Sequence, residues 1–414
     1  MSGVNFDKSI FRIDCITPSI SKSQNLKIMN EELARAQSSV AAIDCDFMLL
    51  SSLHNVTYVS GFEVPIAVGA GAETAYGPSL ALCNARSEGS WLIVSAANAA
   101  AAAAQSRLSN TLVFGTFDSF NWIDSRQQFI DQTRAALRQA GLQHTRATLG
   151  IEARSTPYAV VDLLERECPQ LKLIDIDEAM AQARLIKTTR EIGLLRRAAH
   201  ICVIGHTTLA ELVQQTGRTE FEMWAELCQQ MFRAVGHDVP VTGELVTGPR
   251  TCVVNYPGGP RERTTQAGDA ALMDISQRVE GYWSDCSNTH VIGGVEPTAH
   301  QKKYARASQA AFAACVNLLR PGVLASQAWQ AANTAYEQHG VKMPHYMGHQ
   351  IGAVVNELPR LVPYDHTPIQ VGMVFAVEPG AYEGEGGTFG ARSEKMIVVT
   401  ESGPEILADF AWGI

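Results

Sequence analysis

The segment 271–294, ALMDISQRVEGYWSDCSNTHVIGG, sets the tightest limit on how this chain can fold. Asp274 interrupts one apolar strand pattern and Asp285 interrupts the next. A turn at Val279 and Glu280 sets the two aspartates directly opposite each other, with Cβ atoms roughly 4.5–5.5 Å apart, where bare carboxylates repel. Burying a carboxylate without compensation costs several kcal/mol even after relaxation, so a positive group must lie between them. Two further acids pose the same problem: Glu378 closes the apolar run MVFAVEPG, and Glu394 sits within ARSEKMIVVT. His349 stands in a Gly-His-Gln-Ile-Gly turn. Taken singly, each acid reads as a solvated strand residue and the histidine as a hydrogen-bonded turn residue. Together they make an oxygen-rich donor set with one imidazole, suited to two divalent metal ions (Mn, Co, Fe or Zn) rather than an all-thiolate structural zinc site. Such a pair lowers the pKa of a water and clamps an oxyanion.

At 414 residues the chain is long for a single core, so two domains are expected. In the first half, short apolar runs such as FMLLSS, SLALCNA and SWLIVSA alternate with helical stretches, which implies α/β layers. The second half opens on a capping box, Thr188 with Glu191, and Thr219 with Glu222 repeats it before a second amphipathic helix. The boundary is placed just before the first box, giving domains 1–184 and 185–414. A net charge of −9 without a basic run argues against nucleic acid and anionic membrane surfaces as partners. The opening MSGVNFDKSIFRID lacks a secretory pattern, and no apolar run reaches membrane-span length. The 9 cysteines never form a Cys-x-x-Cys pair and read as buried thiols of a reducing compartment. A cytoplasmic location is expected.

SLHNVTYVSGF, RLIKTTREIGLLRRAA, MDISQRVEGYWSDCSNT, HYMGHQIG, GMVFAVEPGAY and GARSEKMIVVTESG, in that order, resemble the blocks of the creatinase, prolidase and aminopeptidase P group of pita-bread enzymes. The resemblance implies an α/β creatinase-like N-terminal domain ahead of an α+β pita-bread catalytic domain, and a metal-dependent hydrolase. It implies Asp274, Asp285, His349, Glu378 and Glu394 as metal ligands, with Glu378 also handling protons as an activated water attacks a scissile carbonyl. His345 and Arg392 match positions that line the peptidases' pockets, His345 as a second candidate for proton transfer. A homodimer is expected by the same comparison, with residues 62–76 as a loop toward the neighbouring subunit.

The chain departs from that pattern at two histidines. Asn356 stands seven residues after His349, where the Xaa-Pro peptidases carry a second histidine, and Asn255 stands at another family histidine ahead of Asp274. The family's Thr-Arg-Thr is here Ser287-Asn288-Thr289. An amide still donates a hydrogen bond to a developing oxyanion, worth ~1–3 kcal/mol in a dry site, but shuttles no proton. Proton transfer then falls to Glu378, His345 or the substrate. Asn255, Asn356, Arg392 and Tyr256 are the expected substrate-binding residues. The expected reaction is cleavage of an amide-like C–N bond in a small or non-standard substrate, a small molecule or short peptide. Xaa-Pro dipeptide hydrolysis, and a lyase or deaminase reaction on the same scaffold, are the alternatives.

Overall fold

Met48 and Leu50 face one side of the first strand and Leu49 the other, and helices cover both sides. That is why FMLL is apolar throughout instead of alternating. A computed structural model of the chain describes residues 30–68, 73–254 and 258–414, so Asn255 and Tyr256 lie outside the described residues, as do 69–72 of the 62–76 loop. The first sheet comprises β1 (Phe47–Leu50), β2 (Leu80–Asn84), β3 (Ser90–Ser95), β4 (Asn110–Phe114), β5 (Thr148–Ile151) and β6 (Lys172–Asp175), in the order β4-β3-β2-β1-β5-β6. Helices Glu31–Ala41 and Leu53–Ser60 pack on one face, and Ser125–Gln139 and Tyr158–Glu167 on the other. Helix Leu53–Ser60 starts where the Ser52 side chain accepts the Asn55 N–H and stops at Gly61, whose φ of 73° suits a residue without a Cβ.

Both expected capping boxes form: Thr188 with Glu191 opens helix Thr189–Leu212, and Thr219 with Glu222 opens helix Glu220–Val235. Behind them lie β7 (Val241–Thr247), β8 (Ala270–Val279), β9 (Tyr282–Trp283) and β10 (Cys286–Val291), with sheet order β10-β8-β7. A five-stranded sheet follows, of β11 (Gly348–Gln350), β12 (Glu357–Arg360), β13 (Val374–Val377), β16 (Lys395–Thr400) and β17 (Gly403–Ile406), in the order β12-β11-β13-β16-β17. Between β13 and β16, β14 (Gly380–Tyr382) pairs with β15 (Gly390–Arg392). Helices Thr189–Leu212 and Glu220–Val235 share one core with β8, while Ala299–Asn317 and Ala325–Gln338 share another with β13 and β16. Residues 31–414 form one compact unit. Among the described residues, no helix is long and apolar enough to cross a membrane.

The β8–β9 hairpin turns one residue later than the sequence suggests. Val279 pairs with Tyr282, leaving Glu280 and Gly281 as the two loop residues, with φ values of 50° and 87°. Two positive φ angles match the twist of a tight hairpin. Glu280 makes an exposed bidentate pair with Arg197, at 2.9 and 2.7 Å. Asp274 therefore faces Ser287 across the ladder, and Asp285 is bonded instead by the Ser276 hydroxyl at 2.8 Å. A slip of two residues keeps both aspartates on one face as diagonal neighbours.

Candidate metal centre

The acids arrive from separate strands, and three of them, Asp285, Glu378 and Glu394, meet at one histidine, while Asp274 pairs with Arg392. Asp274 lies on β8, Asp285 just before β10, Glu378 just after β13 and Glu394 just before β16. His349, on β11, sits opposite Ala376 of β13. The glycine before it is required: Gly348 has φ 143°, and a Cβ there would lie 2.1 Å from the Ala376 carbonyl oxygen. His349 Nδ1 lies 2.9 Å from the Gln350 carbonyl oxygen. A carbonyl only accepts, so Nδ1 carries the proton and Nε2 is the free ligand atom. It points to Glu378 Oε1 at 3.3 Å and Asp285 Oδ2 at 3.6 Å. Ligand atoms of Asp285, His349 and Glu394 lie within 4.8 Å of one another.

The electrostatics match this geometry. Burial favours a neutral His349, yet the Asp285 and Glu378 carboxylates override it and push its pKa to about 10. Burial raises Glu394 well above the ordinary carboxylate range, and Asp285, Asp274 and Glu378 add to the effect. Asp274 is raised by burial against the opposing pull of Arg392, with Asp285 and Glu244 adding to the rise. Glu378 is held low because His349, His345 and Arg392 outweigh its burial. Asp274 Oδ1 and Glu394 Oε1 are buried with no partner among the described residues. Unpartnered buried carboxylate oxygens beside an imidazole nitrogen that can give up its proton are what a divalent cation site requires, so the residues present fit such ions.

Arg392 is buried and committed within the protein. Its Nε donates to Ser287 Oγ (2.8 Å), Nη1 to Tyr382 Oη (3.3 Å), and Nη2 to Asp274 Oδ2 (2.9 Å) and to Glu244. Glu244 was not singled out from the sequence, although it interrupts VTGELVT much as Asp274 interrupts its own strand. It faces Asp274 across the β7–β8 ladder. His345 lies near the centre, its Nδ1 2.7 Å from the Tyr346 carbonyl oxygen, and its Nε2 is buried without a partner among the described residues. Burial lowers the pKa of His345 against the pull of Glu378.

Asn356 donates from Nδ2 to the Tyr346 hydroxyl at 3.3 Å and accepts at Oδ1 from Arg360 Nε at 3.0 Å. Burial, with the Glu378 charge adding to it, holds the phenol proton of Tyr346, a second residue missed from sequence, above the usual range. Its ring centroid lies 6.2 Å from that of His349. Glu357, beside Asn356, is buried between Arg184 (3.1 Å) and Lys187 (2.9 Å), and Lys187 also donates to Gln350 at 2.7 Å. Arg184 in turn bonds Asn55, which donates to Glu152 at 2.6 Å. The stretch SLHNVTYVSGF is thereby tied to the strand that carries His349.

Residues 193–401 match the model of Metallopeptidase family M24, and residues 32–186 match that of the Creatinase/Prolidase N-terminal domain. The Xaa-Pro dipeptidase of Pyrococcus horikoshii is 27% identical over 263 residues, 63% of this chain and 72% of that protein. The solved prolidase of the same organism superposes with a TM-score of 0.73 at 22% identity, covering 92% of this chain and 99% of that one. An Xaa-Pro dipeptidase from Bacillus anthracis superposes with a TM-score of 0.74 at 22% identity, covering 92% and 98%. The shared fold is an α/β creatinase-type domain followed by a pita-bread domain, as the sequence motifs imply.

Proposed function

This chain belongs to metallopeptidase family M24 and is a metal-dependent hydrolase of it, and on that premise we propose that it hydrolyses the amide C–N bond of a short peptide at a two-metal centre. The observation that carries this reading is His349 Nε2, which faces Asp285 and Glu378 with Glu394 in ligand range. Asp274, Asp285, His349, Glu378 and Glu394 would hold two divalent ions. Ions bound there supply Lewis-acid polarisation of a carbonyl and a water of lowered pKa.

The chain's own residues supply the rest. Glu378 is the proposed general base, its carboxyl held below the usual range in spite of its burial. Arg392 balances Asp274 and Glu244 and so keeps the Asp274 carboxylate in place. His345, with its proton on Nδ1, offers Nε2 as an acceptor for a donor on the substrate. The division between the domains is proposed between Arg184 and Leu185.

Relatives named Xaa-Pro dipeptidase make Xaa-Pro dipeptides the first substrates to try. Turnover of such dipeptides after loading with Mn or Co, giving two amino acids, is the expected result. Ammonia release or an elimination product from the compounds that do react, with every dipeptide left intact, would replace hydrolysis by deaminase or lyase chemistry.

A further inference from the structure

Two buried hydroxyls touch the acids of the centre, and a third hydroxyl, that of Tyr346, stands beside its histidine. Ser276 donates to Asp285 at 2.8 Å and Ser287 to Glu394 at 2.6 Å, and both serines are buried in the β8–β10 ladder. Tyr346, whose ring centroid lies 6.2 Å from that of His349, is half-buried and keeps access to solvent. Its Oη accepts from Asn356 Nδ2 at 3.3 Å, and Asn356 is held at its other end by Arg360 at 3.0 Å. With one lone pair engaged by the amide, the single phenolic proton is directed away from Asn356. Rotation of that O–H lets it meet an oxygen placed beside the His349 ring.

We propose that Tyr346 is a catalytic residue whose O–H donates a hydrogen bond to the carbonyl oxygen of the scissile amide as negative charge develops there. Asn356 is the positioning residue that orients it. The phenol keeps its proton throughout, and no covalent bond is made or broken at Tyr346. The asparagine then acts through the tyrosine, with no need to move a proton itself. The inference rests on the amide-hydrolysis reading.

The test uses the full chain loaded with Mn, with Ala-Pro as substrate and its phosphinic analogue, in which tetrahedral phosphorus replaces the scissile carbonyl, as a binding probe. Removing one preorganised donor is expected to lower kcat on the order of 10²-fold in Tyr346→Phe, with a similar loss of phosphinate affinity and little change in KM. Bound Mn per chain stays at the wild-type value. Asn356→Ala shows a smaller loss, and the double variant is no worse than Tyr346→Phe, because the two act as one unit. Wild-type kcat and phosphinate affinity in Tyr346→Phe, loss of its Mn, or multiplying losses in the double variant would each overturn the proposal. Tyr346-dependent phosphinate binding without Ala-Pro cleavage would sink the substrate reading alone and support this one. A wild type that neither cleaves nor binds overturns both.

Discussion

His349 concentrates the site's charge problem in one ring. Its Nδ1 proton is fixed by the Gln350 carbonyl, and its Nε2 faces two carboxylates that push the imidazole pKa to about 10. At neutral pH the metal-free ring is therefore an imidazolium that partly neutralises the acids, and a cation entering the site must displace its proton. His349→Ala removes both the counter-charge and a ligand, and Asp285→Ala removes a carboxylate within ligand range. Each is expected to abolish turnover and to lower bound Mn per chain, read by elemental analysis alongside the activity assay. Asp274, Asp285, Glu378 and Glu394 were legible because an acid inside an apolar run is costly to bury unless a cation or a donor meets it. Glu244 carried the same signal, weakened by the glycine and threonines around it. Tyr346 carried none, since its place near Glu378 follows from how β11 and β13 pair and not from its neighbours in sequence.

At the scale of elements, two buried features tie helices and strands to the site. Glu191, N3 of the helix Thr189–Leu212, accepts from the Thr188 N–H at 2.8 Å and from Tyr282 at 3.1 Å, and burial raises its pKa to about 7. A folded-state pKa above the unfolded value means that stability falls as pH rises from about 4.5 to about 7 and then levels off. Glu191→Gln keeps the capping box, which glutamine also serves. It should leave the protein more stable by up to roughly 3 kcal/mol above neutrality, a gain that vanishes near pH 4. Denaturant melts at pH 4 and pH 8 check this, and equal differences at both would contradict it. The second feature is Glu357 between Arg184 and Lys187. Lys187→Met strips one partner from a buried carboxylate and should cost about 3–5 kcal/mol in the same melts. The capping boxes were readable from local spacing. The hairpin register was not, because a glutamate at φ 50° held by an arginine on a distant helix leaves no local mark.

For the molecule as a whole, the separation of roles was legible and its joinery was not. Apolar runs alternating with helices predict the first sheet, and the acid-bearing strands predict the second half, since each pattern depends on local periodicity. The path from Glu152 through Asn55, Arg184, Glu357 and Lys187 to Gln350 joins residues far apart in the chain, and no periodicity encodes it. All five proposed ligands lie in the second half, yet this path ties the first half to the strand that presents His349. The central claim is that these buried acids exist in order to be neutralised by divalent ions. Titrating Mn into chelator-stripped protein, in a calorimeter and in buffers of different ionisation enthalpy, tests it most directly. The expected result is two ions per chain, with a proton released as His349 yields its Nε2, and an affinity that rises with pH below about 10. Binding of less than one ion per chain, or binding without proton release at neutral pH, would contradict it.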